Sequence, residues 1–210
     1  MFLPVSTVQL VKSMRDLDLN LFSHQQKLAA LWCDGQLANG NGYNYIQEAC
    51  SVTRYPDICV QSLASFSSTA KRSPSKWARA GVSVTIGEVK DVAQNLKKLK
   101  KYRLMKGKNR IALSDCIECI QDALDELHKS LDVLRRLSKS TFNEQMGDLN
   151  TWISAALTDE DTCLDGFEDQ KGKRVKLLQN QVLNATYITS NALALVNKLA
   201  ATGLASITVP

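Results

Sequence analysis

Seven apolar residues, Leu113, Ile117, Ile120, Leu124, Leu127, Leu131 and Leu134, follow one another at alternating steps of four and three without a break. That period belongs to an α-helix with one apolar stripe, and a stripe this long must be buried against neighbouring helices. A second stripe of the same kind, Val175, Leu178, Val182, Ala185, Thr189, Ala192, Val196 and Leu199, predicts a helix over 173–200. Aromatic residues make up only 6% of the chain, and Gly and Pro are sparse. Such a composition favours helices over a β-sandwich or barrel.

Other signals place the remaining helices. Met146, Leu149, Trp152, Ile153 and Ala156 predict a helix over 143–157. Ser73-Pro74, a capping residue followed by proline at the first helical position, opens a helix through Trp77, Val84, Val92, Leu96 and Leu99. The Val82, Val84, Ile86 alternation inside it is too short to make a strand against that pattern. Eight cations crowd Lys97 to Arg110 around Gly107, which reads as a turn between helices. A short helix over 43–53 and another opening at Pro56 make a helical hairpin. In Leu37 to Gly42 (LANGNG) no helix is expected to continue, so a domain boundary is placed there.

The expected fold is all-α: an up-and-down four-helix bundle with an N-terminal helical hairpin. Residues 1–42 form an extension with loose helical spacing, 43–202 the bundle and 203–210 a tail.

Catalysis is poorly supported. Histidines number two, His24 and His128, and His128 sits among polar neighbours on the heptad helix. The chain has no HExxH, GxSxG or GxxxxGK[ST] motif. Cys116 and Cys119 are spaced as CxxC but lack a second ligand pair and lie within a helix rather than at its start. No cofactor and no metal is expected. The net charge of +5 comes from interspersed charges, and the basic run has only Tyr102 for stacking, so nucleic acid is not expected as a partner. No apolar run approaches the roughly 20 residues that span a bilayer.

The cysteines pull another way. Six are present, which suits an oxidising compartment, whereas residues 1–20 are interrupted by Lys12, Arg15, Asp16 and Asp18 and show no signal peptide. Cys50 and Cys59 bracket the Pro56 turn and face each other across the hairpin; pairing Cys116 with Cys163 would tie two bundle helices. By loop entropy the two bridges contribute about 3 and about 4 kcal/mol.

Several motifs in order resemble the plant invertase and pectin methylesterase inhibitor family: Ile46-x-x-x-Cys50 with Tyr55-Pro-x-x-Cys59; Ala112-Leu-Ser-Asp-Cys116-x-Glu118 with Asp122-Ala-Leu-Asp125-Glu-Leu; and Trp152-x-Ser-Ala-Ala-Leu-Thr158 leading into Thr162-Cys163-Leu-Asp165-Gly-Phe167. The resemblance spans about Tyr43 to Leu199. It implies a four-helix bundle with an N-terminal hairpin and the pairs Cys50–Cys59 and Cys116–Cys163. Cys33 and Cys119 fall outside that framework, as free thiols or as partners of each other or of another molecule.

The implied activity is inhibition of a cell-wall carbohydrate enzyme in a one-to-one complex over its substrate cleft, in the apoplast, by a protein monomeric when free. Invertase inhibitors of the family carry Pro-Lys-Phe, and none of Pro4, Pro56, Pro74 and Pro210 is followed by Lys-Phe, which favours pectin methylesterase over acid invertase. Thr162 matches a position that touches the esterase. Glu118, Asp122, Asp125 and Asp165 complete the expected target-binding surface. Asn184-Ala-Thr186 is a glycosylation sequon. Two rival expectations are a detached pro-region of a pectin methylesterase and a reduced intracellular helical scaffold.

Overall fold

The computed structural model describes residues 40–204, so His24, Cys33 and the expected extension lie almost wholly outside the described residues, as does most of the tail. The described chain is helical, with helices α1 (Gly40–Cys50), α2 (Pro56–Leu63), α3 (Ser67–Ala70), α4 (Pro74–Lys101), α5 (Lys108–Arg135), α6 (Phe142–Asp165) and α7 (Lys173–Thr202). A 3₁₀ turn, Ala64–Phe66, joins α2 to α3. The four long helices form the bundle: α4 packs on α5 and α7, and α6 on the same two. The heptad stripe of α5 is buried except at half-buried Ile117, and every residue of the α7 stripe is buried.

The starts of these helices follow from local chemistry. Ser73 Oγ accepts the backbone N–H of Lys76 at 3.4 Å, which caps α4 ahead of Pro74. Pro56 opens α2, where its missing N–H is not needed. Lys98, Lys100 and Lys101 occupy the last turn of α4. Their charges favour the negative end of its dipole, which explains much of the basic run without a ligand. Gly107, at φ 54°, reverses the chain into α5.

Two expectations need correction. The glycines of LANGNG do not keep helix away, because α1 begins at Gly40. More consequentially, α6 does not end near Leu157 but runs to Asp165, so Cys163 lies in its last turns and not in a polar connection. The buried stripe of α6 continues as Leu149, Ile153, Ala156, Glu160 and Cys163. Glu160 holds a core step, and a carboxylate at that step disguises the helix as a polar loop.

The hairpin has its own small core, in which Ile46, Ala49, Cys50, Cys59 and Leu63 gather with Trp77 and Ala80 of α4 and Leu195 of α7. Cys50 and Cys59 are bridged with Cα atoms 5.7 Å apart, closing the turn between α1 and α2. Where α4 meets α7 the approach is close. A Cβ on Gly81 would stand 3.1 Å from Leu195 Cδ1 and 3.3 Å from Ala192 Cα.

Candidate functional site

The second bridge, Cys116–Cys163, joins α5 to α6 at a Cα separation of 4.3 Å, and both cysteines are buried. It brings the polar faces of the two helices alongside each other. Further along, those faces enclose a groove of about 350 Å³ lined by Asp122, Asp125, Glu126 and Lys129 from α5 and by Ala155 and Asp159 from α6. Four carboxylates and one lysine line it, so the groove is acidic.

Its electrostatics follow from crowding. Partial burial and then the neighbouring Asp122 raise the Asp159 carboxyl above its usual value. Glu126 is raised by burial and by Asp159 and Asp122, while Lys129 pulls it back down, and its Oε2 has no hydrogen-bond partner. The free thiol of Cys119, one turn from Asp122, is raised by burial and next by Asp159, so it is a weaker nucleophile than an ordinary cysteine. Like charges held this close favour a partner that brings Lys or Arg.

The expected target-binding residues divide among three places. Asp122 and Asp125 line the groove. Glu118 is exposed on α5 but is not among the lining residues. Thr162 and Asp165 are exposed near the end of α6, next to the bridge; the Thr162 hydroxyl donates to Thr158 O at 2.7 Å, and Asp165 raises the carboxyl of nearby Asp161, whose burial is the larger cause. Sequence reading missed Glu126 and Lys129, and it did not join Asp159 of α6 to Asp122 and Asp125 of α5. The signal was the step of four from Asp122 to Glu126, but the partner wall is visible only once α6 extends past Leu157.

His128, one turn beyond Leu124, places Nδ1 2.6 Å from Leu124 O, its own helix's carbonyl. Among the described residues no three metal-ligating side chains converge. No described helix is long and apolar enough to cross a membrane. Asn184 of the sequon is exposed in mid-α7, and its amide donates to Glu88 Oε2 at 3.4 Å.

Residues 44–195 match the family model of the plant invertase/pectin methylesterase inhibitor. Pectinesterase inhibitor 6 of Arabidopsis thaliana is 49% identical over 163 residues, covering 76% of this chain and 77% of that protein. Pectinesterase/pectinesterase inhibitor 3 of Arabidopsis thaliana is 36% identical over 166 residues, covering 77% of this chain and 28% of that longer protein. A crystal structure of a mutant pectin methylesterase inhibitor from Arabidopsis shares the fold, with a TM-score of 0.59 at 18% identity over 72% of this chain and 95% of that one. The family model and the 49% identical relative describe inhibitors, not catalysts. The chain therefore belongs to the plant invertase/pectin methylesterase inhibitor family.

Proposed function

We propose that the chain inhibits a pectin methylesterase in the plant cell wall, by laying the α5–α6 face over the target's substrate cleft in a one-to-one complex. The observation that carries this reading is the acidic groove beside the Cys116–Cys163 bridge, in a chain 49% identical to a protein named as a pectinesterase inhibitor. Asp122, Asp125, Glu126 and Asp159 supply the charge that cations on a partner would meet. Glu118, Thr162 and Asp165 extend the contact along the two helices. Buried bridges between paired helices suit an oxidising, extracellular setting, where Asn184 would carry a glycan. The missing Pro-Lys-Phe favours the esterase over acid invertase.

The test is titration of the oxidised protein against a plant pectin methylesterase and an acid invertase, with complex mass by light scattering. Saturable inhibition of the esterase at one-to-one stoichiometry supports the reading. Inhibition of invertase alone reassigns the target, and no inhibition of either at micromolar excess sinks it. The likeness to a domain of a longer pectinesterase favours one second reading, in which the chain is the pro-region of such an enzyme. A transcript that reads on from Pro210 into a catalytic domain would establish it.

A further inference from the structure

Glu160 stands where the stripe of α6 calls for an apolar residue, and it is fully buried. Among the described residues no cation pairs with it. The charges acting on it, Asp161 and Asp159, are of its own sign and on its own helix, and α7 meets it with the uncharged Thr189 and Thr186. The titratable groups on the facing side of α5, Cys119, Asp122 and Glu126, couple instead to Asp159 in the groove.

The hydrogen bonds around Glu160 favour the neutral carboxylic acid. Glu160 Oε1 lies 2.8 Å from Thr189 Oγ1, and Thr189 Oγ1 lies 2.9 Å from Ala185 O one turn back. A hydroxyl has one proton to give. With that proton on Ala185 O, the contact with Glu160 is a hydrogen bond only if the carboxyl donates. With it on Glu160, two oxygens face each other at 2.9 Å with no proton between them. The Thr186 hydroxyl, which also reaches the carboxyl, faces the same choice, because its one proton is given to Val182 O at 3.1 Å. Among the described residues Glu160 Oε2 has no hydrogen-bond partner, a position that a neutral acid tolerates far better than a carboxylate does. Burial accordingly pushes the Glu160 carboxyl up to about 8, although the Thr189 and Thr186 hydroxyls pull it partway back.

We propose that Glu160 is a pH-sensitive anchor inside the bundle: as a neutral acid donating to Thr189 Oγ1 it holds α6 on α7, and its ionisation in alkaline solution loosens that packing. The proposal stands on packing and does not depend on the target of inhibition. Below pH 4.5, the ordinary value of a glutamate, folded and unfolded chains both hold the proton and the fold carries no penalty. Between there and about 8 the folded chain keeps a proton that the unfolded chain has lost. Each pH unit then lowers the folded-to-unfolded ratio about tenfold, and above that window the loss is complete.

Denaturant melts of the wild type and of Glu160→Gln, compared across this range, test it. The glutamine amide can donate to Thr189 Oγ1 but does not titrate. The wild-type ratio is expected to fall against the variant's by about tenfold per pH unit; stability profiles that run parallel overturn the proposal. Site-resolved carbon-13 titration of the wild-type carboxyls decides the matter even where the variant does not fold. A Glu160 carboxyl still protonated near neutral pH supports the anchor, and an ionised one overturns it.

Discussion

Asn191 grips the backbone of Tyr55 at two points: its Oδ1 accepts the Tyr55 N–H at 3.1 Å and its Nδ2 donates to Tyr55 O at 2.9 Å. Tyr55 is the residue before Pro56, and Asn191 is buried in α7. One side chain thus ties the hairpin turn to the last helix of the bundle, across 136 positions of sequence. The rings of Tyr55 and Tyr187, 4.2 Å apart, reinforce the same joint.

Replacing Asn191 with Ala leaves the half-buried Tyr55 N–H without its acceptor, at a cost of about 1 to 3 kcal/mol. Thermal melting is expected to fall by roughly 5 to 10 °C, with far-UV circular dichroism of the native state little changed. Hydrogen exchange should quicken in α1 and α2 before it does in α5. Unchanged melting would show that the two-point grip contributes no stability.

The bridge Cys116–Cys163 closes a longer loop than Cys50–Cys59, with a sequence separation of 47 against 9. Loop entropy therefore assigns it the greater share, about 4 against about 3 kcal/mol. Pairwise replacement by alanine, followed by denaturant titration, is expected to place the Cys116/Cys163 variant lower in midpoint. The reverse order would mean that native-state effects outweigh loop closure.

Two glycines of α4 should respond with opposite signs. A Cβ on Gly87 meets nothing within 4 Å, so Gly87→Ala is expected to stabilise by up to about 1 kcal/mol through helix propensity. Gly81 is buried against Ala192 and Leu195, so Gly81→Val forces α4 and α7 apart and should cost about 1 to 3 kcal/mol. Urea midpoints of the two variants measure both changes.

Charge reversal probes the groove. Asp122→Lys with Asp125→Lys is expected to weaken inhibition of pectin methylesterase by at least about tenfold, mainly through slower association and with the salt dependence reduced. Asp91→Lys, on exposed α4 surface away from the groove, is the control and should leave inhibition unchanged. Equal effects from both would point to net charge rather than to this face.

Much of the bundle could be read from residue order alone, because apolar spacing reports which face of a single helix is buried. The α5 and α7 stripes, the Ser73-Pro74 start of α4 and the Pro56 start of α2 are all local properties, set by propensity, capping and periodicity. Cysteine spacing likewise fits the two bridges that form. Glu160 marks where such reading ends. A carboxylate reads as solvent-facing, and only the packing of α6 on α7 makes its step a core step, which lengthens α6 and moves Cys163 onto it. The groove was hidden for the same reason: Asp122 and Glu126 declare a polar face, but a stripe on one helix does not say which helix lies beside it. That neighbour is chosen by the order in which the four helices pack, and the crowding of Asp159 against Asp122 exists only after the choice is made.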